Sequence, residues 1–238
     1  MSLAGKKKIA VLTGAGVSAE SGLATFRGNN GLWGKYDPDE VASIEGWYRN
    51  RRLVLNFYND LRRTLGEVKP NAAHYAIAAL EKEYSVTVIT QNVDNLHERA
   101  GSTKVLHLHG EATKVRPEDG EYDRTYSEEE VIDIGYDEVH FGDKAPNGSQ
   151  LRPHIVFFGE AVPNINKAND IVSAADIMLI VGTSLNVYPA AGLYRYAPNG
   201  IPIYLIDPED VAIADPRITQ IRQVATKGME TFRRMLGQ

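Results

Sequence analysis

The stretch Ile9-Ala10-Val11-Leu12-Thr13-Gly14-Ala15-Gly16-Val17-Ser18-Ala19-Glu20-Ser21-Gly22 decides the fold of this sequence. Its apolar and β-branched start, Ile9–Thr13, predicts a short buried strand. The glycines that follow form a G-x-G-x-x-A pattern at a strand-to-helix junction. Small residues there let backbone N–H groups approach a diphosphate, and they equally suit a tight turn with a close helix contact. The motif alone leaves both interpretations open.

Strand-like runs recur along the chain and alternate with helical patterns. This alternation, with several uniformly apolar strands, predicts an α/β fold, a Rossmann-like parallel sheet with helices on both faces. Ligands of such sheets bind outside the carboxyl ends of the strands. The predicted strands are Ile9–Thr13, Val86–Thr90, Val105–His109, His154–Phe158, Ile177–Val181, Ile203–Ile206 and Gln223–Thr226. The predicted helices between them are Asn71–Tyr84, Asn92–Ala100, Asn166–Ala175 and Pro189–Tyr196.

Two stretches interrupt the alternation. Residues 35–70 hold helical patterns without a strand, including Leu53–Leu65, and residues 111–150 are acidic, with twelve Asp or Glu. We interpret both as a smaller inserted lobe. The whole chain, 1–238, is then a single domain whose Rossmann-like core comprises residues 1–34, 71–110 and 151–238.

Composition argues against several classes of protein. A net charge of -5 over 238 residues is unlike a nucleic-acid binder, which normally shows a basic face. The chain has no cysteine, which excludes disulfides, a thiol nucleophile and cysteine-ligated zinc and fits a cytoplasmic protein. No apolar run approaches the roughly 20 residues that span a bilayer, so we expect no membrane association.

The chain after the glycine motif does not continue as a dehydrogenase would. A dehydrogenase places an acidic residue about 20 positions on, at the end of a second strand. Here Asp37, Asp39 and Glu40 lie in a Pro-containing loop, which disfavours hydride transfer. Asp207, at the end of a later strand, is another candidate for a ribose hydroxyl, although an Asp before Pro208 also suits a turn.

A series of motifs in a fixed order resembles the sirtuin family, and within it the bacterial protein deacylases. The resemblance begins at the glycine motif with Thr25-Phe26-Arg27 and extends to about residue 230. The further motifs are Thr90-Gln91-Asn92-Val93-Asp94-Asn95-Leu96-His97, His107-Leu108-His109-Gly110-Glu111, Phe158-Gly159-Glu160, Gly182-Thr183-Ser184 and Lys227-Gly228.

The resemblance implies an NAD-dependent protein-lysine deacylase that acts on acylated-lysine proteins or peptides. The implied products are free lysine, nicotinamide and O-acyl-ADP-ribose, with NAD consumed as a co-substrate. A protein mono-ADP-ribosyltransferase and a non-enzymatic NAD or ADP-ribose sensor are the alternatives. The latter would not need His109.

The resemblance also assigns catalytic roles. His109 is the implied general base, and a neutral imidazole can accept a proton near neutral pH. Asn92 and Asp94 are the implied catalytic residues at the nicotinamide end, although each also suits a helix N-cap. His107 shares a strand face with His109, which is compatible with a two-histidine metal site. No third ligand stands at a recognisable spacing, and we expect no metal. The remaining histidines are interpreted as structural: His74, His97, His140 and His154.

Binding residues follow from the same resemblance, and the extended substrate is expected to add a strand between two edges. The implied NAD contacts are Gly14, Ala15, Gly16, Ser18, Glu20, Thr25, Phe26, Arg27, Trp33, Gln91, Asn92, Val93, Asp94, Gly182, Thr183, Ser184, Asp207, Pro208 and Met229. The implied acyl-lysine and peptide contacts are Tyr58, Leu61, Val156, Phe157, Phe158, Gly159, Glu160, Leu185, Asn186 and Val187.

The acidic stretch departs from the family pattern. Sirtuins usually hold a zinc with four cysteines in the segment corresponding to residues 111–150, and this chain has none. We expect the activity to be zinc-independent, with Ser127 and Glu130 at the spacing of a capping box. The apolar residues expected to form a small core there are Tyr122, Tyr126, Val131, Ile132, Ile134, Tyr136, Val139 and Phe141.

A second departure concerns the acyl group. Family members that remove succinyl or malonyl groups carry Tyr-x-x-Arg on a helix beside the acyl-lysine tunnel. Here Tyr58 is kept and Leu61 stands in the Arg position. We therefore expect a preference for acetyl or other uncharged acyl groups, unless Arg62 reaches in from one position along the helix.

Overall fold

Two sheets organise the chain in this computed structural model, which describes residues 5–23, 35–118 and 129–237. The strands are β1 (Lys8–Thr13), β2 (Ser85–Thr90), β3 (Val105–His107), β4 (Gly110–Pro117), β5 (Ile132–Asp133), β6 (Leu151–Ile155), β7 (Ile177–Val181), β8 (Ile203–Ile206) and β9 (Ile218–Ile221). The α-helices are α1 (Gly16–Ala19), α2 (Pro38–Val41), α3 (Ile44–Arg49), α4 (Arg51–Glu67), α5 (Ala72–Ala79), α6 (Leu96–Arg99), α7 (Ile165–Ser173) and α8 (Ala225–Met235). Leu80–Lys82 and Ala190–Tyr196 are 3-10 helices.

The larger sheet is parallel, with strand order β3-β2-β1-β7-β8-β9. Successive residues of β1 face opposite sides: Ile9 and Val11 pack with α5 and α8, while Ala10 and Leu12 pack with α7 and the 190–196 helix. The predicted parallel sheet with helices on both faces is confirmed. The strand order reverses at β1, which opens a crevice beyond the carboxyl ends of β1 and β7.

The smaller sheet is antiparallel, with order β5-β4-β6, and packs against α2, α3 and α4. Helix α4 begins at Arg51 and is capped by Asn50, whose side chain accepts a hydrogen bond from the Leu53 N–H. Its buried face includes Phe57, Tyr58 and Leu61, and each fully buried side chain of this size stabilises by about 1.5–3 kcal/mol. This packing carries Tyr58 and Leu61 to the edge of the crevice.

Two predicted strands are wrong. Instead of His154–Phe158 in the parallel sheet, β6 is Leu151–Ile155 and pairs antiparallel with β4. Arg152 within it is buried and ion-paired, so its polarity hid the strand from a hydrophobicity argument. Instead of Gln223–Thr226, the edge strand is β9, and α8 begins at Ala225.

Other predicted elements are shorter than expected. Val105–His109 ends as a strand at His107, Asn92–Ala100 is helical only over α6, and Pro189–Tyr196 is a 3-10 helix from Ala190. No helix among the described residues is long and apolar enough to cross a membrane.

The apolar residues expected in the acidic stretch contribute unequally. Val139 is buried, and Ile132 and Ile134 pack against the same cluster as α4. Tyr136 and Phe141 are 40% and 50% exposed, so they do not form a core there. Tyr122, Tyr126 and Ser127 lie outside the described residues.

Candidate functional site

A cavity of about 1120 Å³ lies at the carboxyl ends of the parallel strands, between the large sheet and α4. The structure brings most of the expected site residues to its walls. From the NAD set these are Gly14, Ala15, Gly16, Ser18, Glu20, Gln91, Asn92, Val93, Asp94, Gly182, Thr183, Ser184, Asp207 and Pro208. From the catalytic and substrate sets they are His109, Tyr58, Leu61, Val156, Phe157, Phe158, Gly159, Glu160, Asn186 and Val187.

Two expected contacts face elsewhere. Met229 is fully buried against the parallel sheet, because α8 turns it towards the β1 and β7 side chains. Leu185 packs on the apolar cluster that α7 covers, with a left-handed backbone at φ 53°. Neither residue lines the cavity.

The glycine motif brings two loops into close contact. The Gly14 and Gly16 N–H groups donate to the Val181 and Gly182 carbonyls at 3.0 and 2.9 Å. A Cβ at Gly16 would lie 2.6 Å from the Gly182 Cα, and Gly182 itself has φ +64°. These two N–H groups are therefore used within the protein, and the glycines let the β1 and β7 loops approach each other beneath the cavity.

His109 follows β3 and has a defined tautomer. Its Nδ1 lies 3.0 Å from the Gln91 carbonyl oxygen, which can only accept, so Nδ1 carries the proton. Nε2 is then the basic nitrogen of the neutral ring. Burial lowers the pKa of His109, while the Gln91 hydrogen bond partly opposes this. The adjacent Gly110 serves the chain itself, since a Cβ there would lie 2.0 Å from the His154 carbonyl oxygen.

Asn92, Asp94 and Ser18 form one polar network on the cavity wall. The Ser18 hydroxyl donates to Asp94 Oδ2 at 3.0 Å and accepts from Asn92 Nδ2 at 3.3 Å. Asn92 Nδ2 also donates to the Gly14 carbonyl at 3.1 Å. Asp94 Oδ1 accepts from the N–H of Leu96, the first residue of α6, at 3.0 Å, although the N-cap position itself is Asn95. Burial raises the pKa of Asp94.

His74 adjoins this network and was missed as a site residue. Its Nδ1 accepts from the Asn71 N–H at 3.3 Å, in a capping box at the start of α5. Nε2 must then carry the proton, and it lies 3.4 Å from the Ser18 hydroxyl. The spacing of Asn71 and His74 could have predicted the cap, but no local pattern indicates the contact with Ser18.

Carboxylates mark the opposite end of the cavity. Asp207 follows β8, accepts from the Glu209 N–H at 3.0 Å and has a pKa raised by burial. Glu20 accepts from the Thr226 N–H and hydroxyl at 3.0 and 2.8 Å, so its carboxylate caps α8. Asp207 thus serves a turn and also lines the cavity, and its contact with a ribose hydroxyl stays a prediction.

The segment Phe157–Glu160 is held rigidly at the cavity mouth. The Phe158 N–H donates to the Ala42 carbonyl at 2.8 Å, and the Ile44 N–H donates to the Phe158 carbonyl at 3.0 Å. Glu160 is buried against Arg152 at 2.8 Å, and it also accepts from the Phe157 N–H at 2.7 Å. The Phe158 side chain is 48% exposed.

Helix α4 presents Tyr58 and Leu61 to the cavity and turns Arg62 away from it. Arg62 is fully buried and donates to the Asp137 and Ala112 carbonyls at 2.8 and 3.0 Å and to the Asn59 amide oxygen. Burial lowers the pKa of Arg62 to about 10, and it raises the pKa of Tyr58 above its ordinary value. All of these Arg62 hydrogen bonds lie on the side of α4 that faces the smaller sheet, away from the cavity.

Comparison with known proteins places this architecture in a family. The sequence profile of the Sir2 family matches residues 14–189. An NAD-dependent protein deacylase of Bacteroides thetaiotaomicron is 54% identical over 231 residues, which cover 97% of this chain and 98% of the relative. The chain belongs to the Sir2 family.

Solved Sir2 structures share the whole fold. A complex of a Sir2 homologue with NAD superposes with a TM-score of 0.84 at 35% identity, covering 99% of this chain and 91% of the other. A Sir2 complex with a deacetylated p53 peptide and 3'-O-acetyl-ADP-ribose gives a TM-score of 0.78 at 30% identity, covering 99% and 96%. The predicted sirtuin resemblance is confirmed.

This Sir2 chain offers no metal cluster in its described ranges, where no group of three His, Cys, Asp or Glu is arranged to hold an ion. His107 does not point to a shared site with His109, because its two ring nitrogens contact Asn92 and Glu98. Four expected NAD contacts lie outside the described residues: Thr25, Phe26, Arg27 and Trp33.

Proposed function

We propose that the protein is an NAD-dependent protein-lysine deacylase. The observation that carries this proposal is the setting of His109, whose Nδ1 is committed to the Gln91 carbonyl while the ring lines the cavity. That arrangement leaves Nε2 as a base where the glycine loop and the segment Phe157–Glu160 meet. The Bacteroides relative, which is 54% identical to this chain, is named an NAD-dependent protein deacylase, and this name supports the same activity.

The cavity residues fit a dinucleotide. Asn92 and Asp94 follow β2, Asp207 follows β8, and β1 and β7 lie between those strands. Three strand spacings of about 4.8 Å make roughly 14 Å, a span that suits two nucleotides. Between the ends, Gly14, Gly16 and Gly182 keep the floor free of side chains, and the Thr183 and Ser184 hydroxyls line it.

NAD, when bound, supplies a ribose carbon whose nicotinamide can be displaced by the acyl oxygen of the substrate lysine. The protein residues then act on protons and orientation. We assign to His109 Nε2 the removal of a proton from a ribose hydroxyl, which makes that oxygen nucleophilic towards the acyl carbon. Asn92, Asp94 and Ser18 hold the nicotinamide end in a reactive pose, using binding energy in the chemical step.

The protein substrate is proposed to bind between Phe157–Glu160 and Asn186–Tyr188. Both segments line the same cavity, and the first is fixed by its hydrogen bonds to Ala42 and Ile44. A substrate that adds a strand there is held by its main chain, so sequence selectivity around the lysine is expected to be loose.

We propose that uncharged acyl groups, acetyl above all, are preferred over succinyl. Leu61 lines the cavity beside Tyr58, whereas Arg62 is bound to carbonyls on the other side of α4. Arg63 also lines the cavity, but its guanidinium is already paired with Asp60 and Glu138. A succinyl carboxylate beside Leu61 would therefore lack a cation of its own, and burying an unpaired carboxylate costs several kcal/mol. Each 1.36 kcal/mol in the barrier is tenfold in rate, so about two orders of magnitude are expected.

Zinc independence and a cytoplasmic location are further parts of the proposal. Both rest on the absence of cysteine from the chain. The small lobe is proposed to hold together through its apolar cluster and the Arg62 hydrogen bonds in place of a metal.

Product analysis tests the proposed function against its alternatives. The protein is incubated with NAD and an acetyl-lysine peptide, and the products are resolved by mass spectrometry. Deacylation yields free lysine peptide, nicotinamide and O-acetyl-ADP-ribose in equal amounts. A peptide or enzyme heavier by ADP-ribose indicates a transferase, and unchanged NAD indicates a sensor; either result overturns the proposal.

A further inference from the structure

His107 lies beneath the site and forms two hydrogen bonds to groups that can only accept. Its Nδ1 lies 3.1 Å from the Asn92 carbonyl oxygen, and its Nε2 lies 2.8 Å from Glu98 Oε1. Both ring nitrogens must therefore carry protons, which makes His107 an imidazolium paired with a carboxylate. Burial lowers the pKa of His107, but the Glu98 hydrogen bond and the nearby Glu111 and Glu98 charges raise it above its ordinary value.

The turn that His107 contacts is the one that carries Asn92 into the cavity. The Asn92 N–H donates to the Thr90 hydroxyl at 3.0 Å, and its carbonyl accepts from His107. The preceding carbonyl, that of Gln91, accepts from His109. His107, at the end of β3, and His109, just after β3, thus each contact one of two consecutive carbonyls. The backbone on both sides of Asn92 is therefore fixed.

The position of the Asn92 backbone helps to determine the orientation of its side chain. Nδ2 donates to the Gly14 carbonyl at 3.1 Å and to Ser18 at 3.3 Å, so these two bonds and the backbone position together orient the planar amide and its oxygen. A rotation of the peptide after Asn92 would move this amide relative to Ser18 and Asp94. A misplacement of about 1 Å at a reacting centre can cost about 100-fold in rate.

We propose that His107 is a positioning residue for the deacylation site, holding the Asn92 carbonyl so that the Asn92 amide faces the nicotinamide end of NAD. Glu98 orients the ring and keeps it charged. His107 is 9% exposed and is not part of the cavity wall, so it acts through Asn92 and does not touch the substrate. The inference rests on the role given to Asn92 in the proposed function.

Two isosteric variants separate the two hydrogen bonds of His107. In His107→Asn the amide nitrogen takes the place of Nδ1 and can still donate to Asn92, whereas in His107→Gln it takes the place of Nε2 and reaches only Glu98. We expect His107→Asn to keep kcat within a few fold. We expect His107→Gln to lower kcat by roughly 10- to 100-fold and to weaken inhibition by nicotinamide, with little change in the KM for peptide.

A matched control is the exposed pair of His140 and Glu138, whose Nε2 and Oε2 atoms lie 3.4 Å apart. His140→Asn and His140→Gln should leave kcat unchanged. Melting temperatures of all variants are measured alongside. If His107→Asn and His107→Gln lose kcat equally, or if neither loses any, His107 does not position Asn92.

A double-mutant cycle with Asn92→Ala shows which assumption fails. If His107 acts through Asn92, His107→Gln should add little loss to the Asn92→Ala enzyme. A full additional loss in that background overturns the positioning role while leaving the proposed function intact. An Asn92→Ala enzyme with wild-type kcat contradicts the proposed role of Asn92, and with it this inference.

Discussion

Three histidines of this protein differ in the atoms that their ring nitrogens meet, and each has a different chemistry as a result. His109 donates from Nδ1 to a carbonyl and is neutral, His107 donates from both nitrogens and is charged, and His74 accepts at Nδ1 from a backbone N–H. The sequence places His107 and His109 two positions apart. Their different roles follow from neighbours that are distant along the chain, such as Gln91 and Glu98.

We propose that the Leu61 side chain decides the acyl preference, and Leu61→Arg tests this proposal. An arginine at this cavity-lining position supplies the cation that a succinyl carboxylate lacks, so desuccinylation should rise by about 10- to 100-fold. Deacetylation should change little. Rates are measured on matched acetyl and succinyl peptides. A wild-type enzyme that already removes succinyl as fast as acetyl, and loses only that activity in Arg62→Ala, would contradict this assignment.

Helix α4 lies between the cavity and the smaller sheet, and its side chains contact both. Its Tyr58 and Leu61 line the cavity, while Arg62 bonds to the carbonyls of Ala112 on β4 and Asp137. Arg63, the next residue, is exposed and pairs with Asp60 and Glu138. Neighbouring arginines of one helix therefore have opposite burial, which provides an internal control.

Arg62→Met should destabilise the protein by about 2–4 kcal/mol, because the buried Ala112 carbonyl, the buried Asn59 amide oxygen and the partly buried Asp137 carbonyl lose a donor. Arg63→Met removes only exposed ion pairs and should change the free energy of unfolding little. Urea unfolding of both variants measures the difference. Equal losses would show that the buried arginine has no special part in holding the small lobe.

Chelation addresses the same lobe. We expect deacylation and melting temperature to be unchanged after prolonged treatment with EDTA, because the chain has no cysteine to hold zinc. Elemental analysis of the purified protein should show far less than one zinc per chain. Stoichiometric zinc, or unfolding on chelation, would contradict the proposal that the protein folds and acts without zinc.

The sequence predicted those elements whose side chains report burial directly. β7 and β8 match their predicted bounds because Ile177–Val181 and Ile203–Ile206 are apolar on both faces of a covered sheet. The predictions for β6 and β9 were wrong. Arg152 in β6 is buried with an ion pair, and β9 is an edge strand with an exposed Thr219. Hydrophobic pattern cannot detect burial that depends on a distant partner.

Prediction of the site followed the same rule. Residues directly after strands β1, β2, β7 and β8 reached the cavity, because parallel strands end at one edge. Met229 missed it, because the orientation of α8 is set by packing and not by the motif beside it. The contact between Ser18 and His74 joins α1 to α5, and no local pattern encodes it.

Whole-molecule stability should depend on the buried histidines. Burial lowers the pKa of His74 and of His154 to about 4 and that of His97 to about 3. In the unfolded chain these histidines have a pKa of about 6.5. Below that pH they therefore bind protons in the unfolded chain that they do not bind in the folded protein. The free energy of unfolding should fall as the pH drops from about 6.5 to about 4, by about 2 kcal/mol per histidine at pH 5.

The raised pKa values of His107 and Asp94 act in the opposite direction and reduce the net loss. Urea midpoints at pH 7 and pH 5 measure the sum. A midpoint that stays constant or rises towards pH 5 would show that these histidines are not buried in neutral form.

His109→Ala tests the central claim most directly, because it removes the base. The variant also frees the Gln91 carbonyl, but it keeps the glycine loop and the hydrogen bonds of the Asn92 amide to Gly14 and Ser18. The account predicts that kcat for deacylation of an acetyl-lysine peptide falls by about 10²–10⁴-fold or more. NAD affinity, measured by calorimetry on the same samples, should stay within a few fold, and His140→Ala should match wild type. Near wild-type turnover by His109→Ala would remove His109 Nε2 from the mechanism and contradict the account.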